Sequence, residues 1–408
     1  MANDIAANFE EFWSRRLQRV SEKIATFRKI TSLEEASTLK KGDTVHRPYM
    51  GALVANTLGA TGAYTRQDIS TTDESMTVGD PVEATYYVQD PDVIQSKYSV
   101  FKNFNDRAAY ALSNKLDGDV LGEYDQADSV VANYELGGGG TASDGIGFTL
   151  TISNLLKVFT RANKKLDLQN LGLGERKAVI SPAFKQVLIE YLAGKESSLG
   201  DSTGRNGHIG KFGGFELYLS NALGWSGRLE YGTLPTDGDT VVINGVTLTF
   251  KDSIGSTAGN VHIGASSAAV SLDILVAAIN APGTTVSEGA AAGFVAVSAA
   301  NQALLKTIVA TDGGTYLALK AEGRGYITVS ETMTADADIW TTTKQIEHNL
   351  FLQGTPIDLA IQKMPSVSIW HRDGYVGSDV TTWQMYALKT FAEGARQMVD
   401  VAVRSDSF

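Results

Sequence analysis

Few side chains in this sequence have the type and spacing that catalysis or metal binding requires. The 408 residues include no Cys and only five His, at positions 46, 208, 262, 348 and 371. Without thiolates there is no disulfide, no thiol redox chemistry and no cysteine-ligated metal. The histidines are too scattered to indicate a transition-metal site. His208 stands in a glycine-rich loop, where it is either a pH-sensitive contact or a solvated histidine without a charged partner.

Two short stretches resemble binding motifs without completing them. Gly204 to Lys211 contains glycines like those of a phosphate-binding loop, but the spacing is wrong and Phe212 stands where Ser or Thr is needed. Asp237-Gly238-Asp239 is more typical of a turn than of a calcium site, because the other oxygen ligands are missing. The sequence alone does not show whether folding brings two carboxylates together, so a catalytic carboxylate pair stays an open alternative. The sequence therefore predicts no enzyme, no cofactor and no metal.

The composition is that of a globular chain with two or three cores. Hydrophobic residues make up 43% of it and charged residues 20%, with a formal net charge of -11. This charge argues against a nucleic-acid clamp, which would carry a basic face, but it is compatible with enclosing DNA. No apolar run approaches the length of a membrane span, and no secretory leader is visible. A chain starting at Met1 gives no sign that an N-terminal propeptide has been removed.

The most informative stretch runs from Lys177 to Asn221. A short β-branched run predicts a buried strand ending at Ser181, and Ser181-Pro182 has the N-cap and first-turn proline of a helix. Gly194 is predicted to end this helix with a left-handed cap. A loop dense in Gly, Ser and Asn follows, and Phe215 to Ser220 alternates as a strand. Apolar residues at helical spacing predict one buried helix face: Phe184, Val187, Leu188, Tyr191 and Leu192.

This order of elements resembles the axial domain of tailed-phage major capsid proteins with the HK97-like fold. The resemblance rests on the strand, the helix that starts with proline, the loop glycines and the strand that ends in Ser-Asn. The loop pattern consists of Gly207, Gly210, Gly213, Gly214 and Phe215. The resemblance implies an α+β fold with an axial domain, a peripheral domain with a spine helix, an extended β-ribbon loop and an N-terminal arm. It also implies that Arg205, Asn206 and His208 contact other subunits.

The segments around this stretch follow the order of that family. They are an N-terminal helical arm at 1–30, the β-ribbon loop with peripheral strands at 31–90, and the spine helix with the peripheral domain at 91–136. An axial domain with the Gly-rich loop follows at 137–228. An inserted β-rich domain at 229–345 and return strands of both domains at 346–408 complete the chain. The insert is rich in Thr, Ala, Gly and Ser, and its size departs from the family pattern.

The arm and the ribbon carry the other predicted subunit contacts. An apolar stripe from Phe9 to Phe27 predicts an amphipathic helix, which either docks on its own domain or clasps a neighbour. Thr31 to Asp90 is too poor in apolar residues to be stable alone, so it is either a ribbon lying on another subunit or a surface hairpin. The resemblance assigns Gly51 to Asp80 to the ribbon tip. The contact candidates here are Phe12, Trp13, Leu17, Tyr64 and Arg66. Some relatives crosslink through a lysine in this loop, but none lies between Gly42 and Asp90.

Local signals define the remaining elements. Asp90-Pro91-Asp92 predicts the start of the spine helix, and Asp117-Gly118 predicts its end. In the insert, Asp239 to Phe250 reads as a hairpin with Asn244-Gly245 at a two-residue turn. A helix over Ser271 to Asn280 follows, stopped by Pro282-Gly283.

The predicted function is structural. The resemblance implies a major capsid protein that self-assembles into hexamers and pentamers of an icosahedral shell around phage double-stranded DNA. The implied partners are identical subunits, a separate scaffolding protein, a portal and a decoration protein, in a virion assembled in the host cytoplasm without a membrane. Two alternatives stay open: an encapsulin-like compartment that holds a protein cargo, and a virion-surface glycan-binding module. In the second, aromatic side chains of the insert would stack on sugars: Tyr316, Tyr326 and Trp340.

Overall fold

The computed structural model describes most of the chain between Thr26 and Arg404. The described residues are 26–33, 44–51, 53–58, 66–69, 71–90, 100–136, 147–171, 174–194, 210–264, 267–289, 292–321, 327–334, 346–371 and 374–404. None of the helices in these ranges has both the length and the apolar character that crossing a bilayer requires.

Strands dominate the described chain. They are β1 (Thr31–Ser32), β2 (Thr44–Met50), β3 (Thr71–Thr77), β4 (Val82–Gln89), β5 (Ser129–Val131), β6 (Phe148–Thr149), β7 (Arg176–Ile180), β8 (Lys211–Phe212), β9 (Phe215–Leu219), β10 (Gly224–Glu230), β11 (Thr240–Ile243), β12 (Val246–Lys251), β13 (Asn260–His262), β14 (Val286–Gly289), β15 (Ala292–Phe294), β16 (Ile308–Asp312), β17 (Tyr316–Ala321), β18 (Val329–Glu331), β19 (Ile346–Gln353), β20 (Ile357–His371), β21 (Gly377–Thr390) and β22 (Met398–Arg404). The helices are α1 (Phe27–Ile30), α2 (Val100–Gly122), α3 (Leu155–Leu168), α4 (Pro182–Ala193), α5 (Ala268–Asn280), α6 (Ala299–Leu305) and α7 (Ala392–Arg396).

A ten-stranded central sheet organises the molecule. Its main path is β16-β17-β10-β19-β7-β9-β8, and β22 pairs with β19 and carries β5 and β6. Successive residues of β19 point to opposite faces. Phe351 packs into the core beneath α3 and α4, whereas Leu350 packs into a second core with residues of α2. Both faces of the sheet are therefore covered.

Helix α4 forms as its sequence predicts. The Ser181 hydroxyl accepts a hydrogen bond from the Phe184 amide at 3.0 Å, and Pro182 occupies the first turn. Phe184, Leu188 and Leu192 are buried on one face. The prediction for Gly194 is wrong, because its φ of -80° is right-handed, with its amide bonded to Glu190 O. The helix needs no left-handed residue there.

The long helix α2 extends past its predicted end. Asp117-Gly118 does not stop it, and it continues to Gly122. The reason is tertiary: the buried Asp117 carboxylate accepts hydrogen bonds from the amides of Thr26 and Phe27, both at 2.8 Å. The aspartate thus caps the start of α1 instead of ending its own helix. The predicted start at Asp90-Pro91-Asp92 lies mostly outside the described residues.

Helix α2 lies against a four-stranded sheet of order β1-β20-β21-β4. The long hairpin of β20 and β21 forms its centre, with register shifts between Ile361 and Ser366. Near Ile357 the hairpin is buried against α2, but its far half becomes exposed. The far half therefore extends beyond the cover that α2 provides.

Most of the segment from Trp225 to Met333 packs around a core of its own. A six-stranded sheet of order β14-β15-β13-β12-β11-β18 lies with α5 in this core. The predicted turn is confirmed, because Asn244 and Gly245 have φ values of 50° and 78° between β11 and β12. In contrast, β16 and β17 join the central sheet, where β17 pairs with β10 from Trp225 to Glu230. The segment is therefore tied to the central sheet by hydrogen bonds.

We expect Gly224→Ala to lower the free energy of unfolding by about 3 kcal/mol, because a Cβ there would overlap the Tyr124 ring. Gly122→Ala is the control, since a Cβ at Gly122 meets no atom within 4 Å. Its stability should stay equal or rise by up to about 1 kcal/mol. Urea unfolding followed by circular dichroism measures both, and equal stability of the two variants would contradict the packing described here.

Candidate subunit-contact site

The ribbon formed by β2 and β3 is anchored to the body at its root. Arg47 and Glu74 face each other across its two strands. Arg47 Nη1 donates to Asp358 Oδ2 at 3.0 Å, and the guanidinium lies 4.3 Å from the centroid of the Phe391 ring. Arg47 thus makes an ion pair and a cation–π contact with the body at once.

Glu74 makes the matching contact from the other strand. Its Oε2 accepts a hydrogen bond from the Ala392 amide at 3.1 Å, at the start of α7. Below this pair, Val45 and Met76 are buried in a small core with Ala360, Ala387 and Phe391. The root of the ribbon is therefore folded on its own chain.

The ribbon tip, which we define as the described residues 50, 51, 53–58 and 66–69, is by contrast exposed. The Val54 amide donates to Gln67 Oε1 at 3.0 Å, which joins the two arms. Large apolar side chains here are open to solvent; Leu53 is 69% and Ile69 76% exposed. Such apolar exposure on an anchored stem indicates a contact surface. The exposed members are Met50, Leu53, Val54, Leu58 and Ile69.

A second exposed apolar surface covers the far half of the long hairpin, which we call the hairpin end. Lys363 lies over Trp383 at its inner limit, 5.3 Å from the ring centroid. Beyond it, large apolar side chains are open to solvent, although the edge of the Tyr375 ring meets Tyr87 with centroids 6.5 Å apart. The exposed members are Met364, Val367, Ile369, Trp370, Tyr375 and Val376.

All of the sequence-predicted contact residues stay predictions. Arg66 is exposed within the ribbon tip. The others lie outside the described residues, and their roles stay predictions: Phe12, Trp13, Leu17, Tyr64, Arg205, Asn206 and His208. The arm enters the described chain only at its end, where Phe27 and Ile30 are buried against α2. Of the aromatic residues in the glycan alternative, only Tyr316 is described, and Arg228 lies 3.8 Å over its ring.

Folding brings together a serine, a histidine and an aspartate that no sequence motif indicates. Ser226 Oγ lies 2.7 Å from His348 Nε2, and His348 Nδ1 lies 2.7 Å from Asp400 Oδ2. The Tyr124 ring stacks on the imidazole, with centroids 3.8 Å apart and planes 10° apart. The three residues sit on β10, β19 and β22, and the pairs are 122 and 52 residues apart in the chain.

This arrangement has the distances of a hydrolase triad but not its surroundings. Ser226 lies between two paired strands, opposite Lys320 on one side and Ile346 on the other. Within the part of the chain that is described, this pairing on both sides differs from the free amides that an oxyanion hole requires. Gly200 to Gly204 has Gly-x-Ser-x-Gly spacing, but these residues lie outside the described ranges. These two hydrogen bonds and the stacked Tyr124 ring instead connect β10, β19 and β22 to the turn after α2.

The Asp237-Gly238-Asp239 stretch is a turn whose carboxylates are already occupied. Asp237 pairs with Lys251 at 3.0 Å and accepts from the Asp252 amide. Asp239 accepts from the amides of Thr236 and Thr334. Within the described ranges, no group of three His, Asp or Glu side chains could hold a metal ion.

Burial shifts two other acids near the end of α2. It raises the pKa of the Glu123 carboxyl, although a hydrogen bond with Thr390 acts in the opposite direction. Burial also raises the pKa of the Tyr386 hydroxyl, and the Asp119 carboxylate beside it adds to this. Both groups belong to the packing between β21 and the end of α2.

Comparison with known proteins supports the fold. No protein-family model and no curated protein matches the sequence. A chain from Mycobacterium phage Che8 superposes with a TM-score of 0.56 at 13% identity, covering 96% of both chains. A chain from the capsid of the cyanophage P-SCSP1u gives 0.55 at 11% identity, covering 98% of this chain and 94% of that one. A chain from the mature capsid of bacteriophage PhiM1 gives 0.51 at 10% identity, covering 98% and 93%. The chain therefore has a fold found in phage capsids, and the resemblance seen in the sequence is confirmed at the level of fold.

We expect Arg47→Ala to lower the free energy of unfolding by about 3 kcal/mol, because it deprives the buried Asp358 carboxylate of its cation. Amide hydrogen exchange over 44–77 should become faster. His46→Ala is the control, since the neighbouring His46–Asp73 pair is mostly exposed and should contribute less than about 1 kcal/mol. Equal effects of the two substitutions would show that the root is not anchored through Arg47.

Proposed function

We propose that this chain is the major capsid protein of a tailed phage and that its copies build an icosahedral shell around double-stranded DNA. The observation that carries the proposal is a ribbon whose root is anchored while its tip exposes five large apolar side chains. A single copy gives these side chains no partner in its described part, so a second copy supplies it. The fold shared with phage capsid chains supports the same conclusion.

In this proposal the segments take the roles that the sequence assigns them. Residues 1–30 form the arm, 31–90 the ribbon loop, 91–136 the spine and peripheral domain, and 137–228 the axial domain. Residues 229–345 form an inserted domain, and 346–408 return to the host domains. The tip and the hairpin end each contact a neighbouring copy. Each contact then joins two different surfaces, which makes it heterologous, and repeated contacts of this kind close into a ring. Many weak contacts per copy then add up to a shell that is hard to open.

The proposed partners follow from that role. Axial domains meet at the centres of hexamers and pentamers through the Gly-rich loop, and a separate scaffolding protein and a portal guide closure in the host cytoplasm. A decoration protein would bind the outer surface. The net charge of -11 argues against a basic clamp on the DNA. The shell would hold its genome by enclosure instead of by sequence-specific binding.

We expect the full chain, expressed with its genomic neighbours, to form closed particles visible by negative-stain electron microscopy. The combined Leu53→Asp and Ile69→Asp substitutions should abolish the particles while leaving the circular dichroism unchanged, because charge in an apolar contact costs about 3 kcal/mol or more at each copy. Leu168→Asp is the control, since Leu168 is 68% exposed at the end of α3, matching Leu53.

Particles of the double variant at the wild-type yield would refute the role of the tip. The particle contents decide between the shell types: nuclease-protected DNA supports a virion capsid, whereas a co-purifying enzyme without DNA supports an encapsulin-like compartment. A soluble monomer under all conditions would refute both.

A further inference from the structure

Helix α3 is packed on one side and open to solvent on the other. Its apolar side chains are buried in the core that it shares with α4 and the central sheet: Leu155, Val158, Phe159, Ala162 and Leu166. On the opposite side, Lys157, Arg161 and Lys164 are all exposed. Because they are four and three residues apart, they align in one stripe about 10 Å long at the rise of an α-helix.

Two exposed apolar side chains lie at the start of this stripe. Together with the three cations they form what we call the α3 basic surface: Ile152, Leu156, Lys157, Arg161 and Lys164. Ile152, just before the helix, is 49% exposed, and Leu156, in its first turn, is 47% exposed. The surface ends before Asp167, whose carboxylate is bound by Arg176. It therefore presents positive charge and apolar area to solvent side by side.

The described part of the chain provides no ion pair for the stripe. None of its three cations has a described carboxylate within 4 Å. The adjacent Lys165 differs, because its ammonium pairs with Glu135 Oε1 at 2.8 Å. That hydrogen bond lowers the pKa of the Glu135 carboxyl, and the charges of Arg161 and Lys164 act in the same direction. Glu135 is therefore already occupied by a lysine outside the stripe.

The stripe is also unfavourable for the helix that carries it. Like charges three and four residues apart on a helix repel each other. Lys157 adds a cation to the first turn, where the helix dipole favours an anion. The packing of α3 does not require these charges, because all three side chains face away from the core. A repulsion that the described part of one copy does not relieve indicates an anionic surface outside that copy.

We propose that the α3 basic surface binds an acidic surface on a second copy of this chain. The inference rests on the proposed shell of identical copies, and it adds a contact on elements other than the ribbon tip and the hairpin end. Carboxylates of the second copy pair with the three cations, while Ile152 and Leu156 pack against apolar atoms beside those carboxylates. The contact joins two different surfaces and is therefore heterologous.

Both the charge and the apolar side chains of the surface favour a second copy. The chain has 46 Asp and Glu against 35 Lys and Arg, so each neighbouring copy carries more carboxylates than cations. Duplex DNA would match the charge as well, but phosphate contacts would leave Ile152 and Leu156 in water. Protein interfaces, in contrast, combine arginine with apolar side chains. Among protein partners, the proposed shell places other copies of this chain around each copy.

Carbodiimide coupling tests the contact, because this reagent joins a lysine amine to a carboxylate that lies in direct contact with it. The full chain is expressed with its genomic neighbours, the particles are treated, and crosslinked dimers are isolated on a denaturing gel. Mass spectrometry then identifies the joined peptides. We expect Lys157 or Lys164 joined to an Asp or Glu of this chain in the dimer band, and we expect this pair to be absent from the monomer band.

The double variant Lys157→Gln with Arg161→Gln tests whether the contact contributes to assembly. Two exposed ion pairs are worth about fivefold in the equilibrium constant of a contact, so the particle yield should fall by about fivefold or more. Circular dichroism should stay unchanged, because both side chains are exposed. The matched control is Arg107→Gln with Lys306→Gln, which removes the same charges from two exposed positions elsewhere and should keep the wild-type yield.

Four results would overturn the inference. Closed particles without a Lys157 or Lys164 crosslink in the dimer band would do so and would leave the proposed shell standing. Crosslinks confined to the monomer band would assign the partner carboxylate to the same copy. Equal yields of the double variant and its control would show that the contact does not support assembly. A wild-type yield with less DNA per particle would assign the surface to DNA. The absence of closed particles under all conditions would instead refute the proposed function, and this inference with it.

Discussion

Strand β19 is the constraint on which the rest of the structure depends. All eight of its residues are buried, and it pairs with β22 on one side and with β10 and then β7 on the other. Its two faces support different cores, so Phe351 fixes α3 and α4 while Leu350 and Leu352 fix the end of α2. The strand also contacts the start of α4 through a polar side chain, because Asn349 Oδ1 accepts a hydrogen bond from the Ser181 amide at 2.9 Å. A shift of α3 and α4 relative to α2 would therefore require β19 to move as well.

The root of the ribbon is packed on the body and its tip is exposed, a difference that the amino-acid composition of the ribbon does not show. Its root has a small core and a cation held between a carboxylate and an aromatic ring, so the stem direction is set by the body. Its tip keeps apolar side chains in water, which is unfavourable for an isolated molecule. In the proposed shell, a fixed stem would reduce the entropy lost when a neighbouring copy binds the tip, because the contact surface is already presented.

Local signals allowed much of the fold to be predicted from sequence. The Ser181-Pro182 start of α4 and the Asn244-Gly245 turn depend on neighbouring residues only, and both are confirmed. The end of α2 was missed because Asp117 serves a contact with Thr26, 91 residues away. The candidate site was predictable only through the family resemblance, which located the tip. Its anchor joins Arg47 to Asp358 across 311 residues, and no periodicity or motif carries such a pairing.

The β16–β17 hairpin has a consequence for engineering. Its strands come from the segment proposed as an insertion, yet β17 pairs with β10 along six residues, and Lys320 on it binds Asp125 at 2.6 Å. Excising 229–345 as a cassette would therefore strip one border from the central sheet and leave β10 with open backbone groups. A foreign peptide is better grafted at the Asn244-Gly245 turn, because the strands that it joins, β11 and β12, belong to the six-stranded sheet and not to the central one. A peptide inserted there would leave the strand pairing of the central sheet intact.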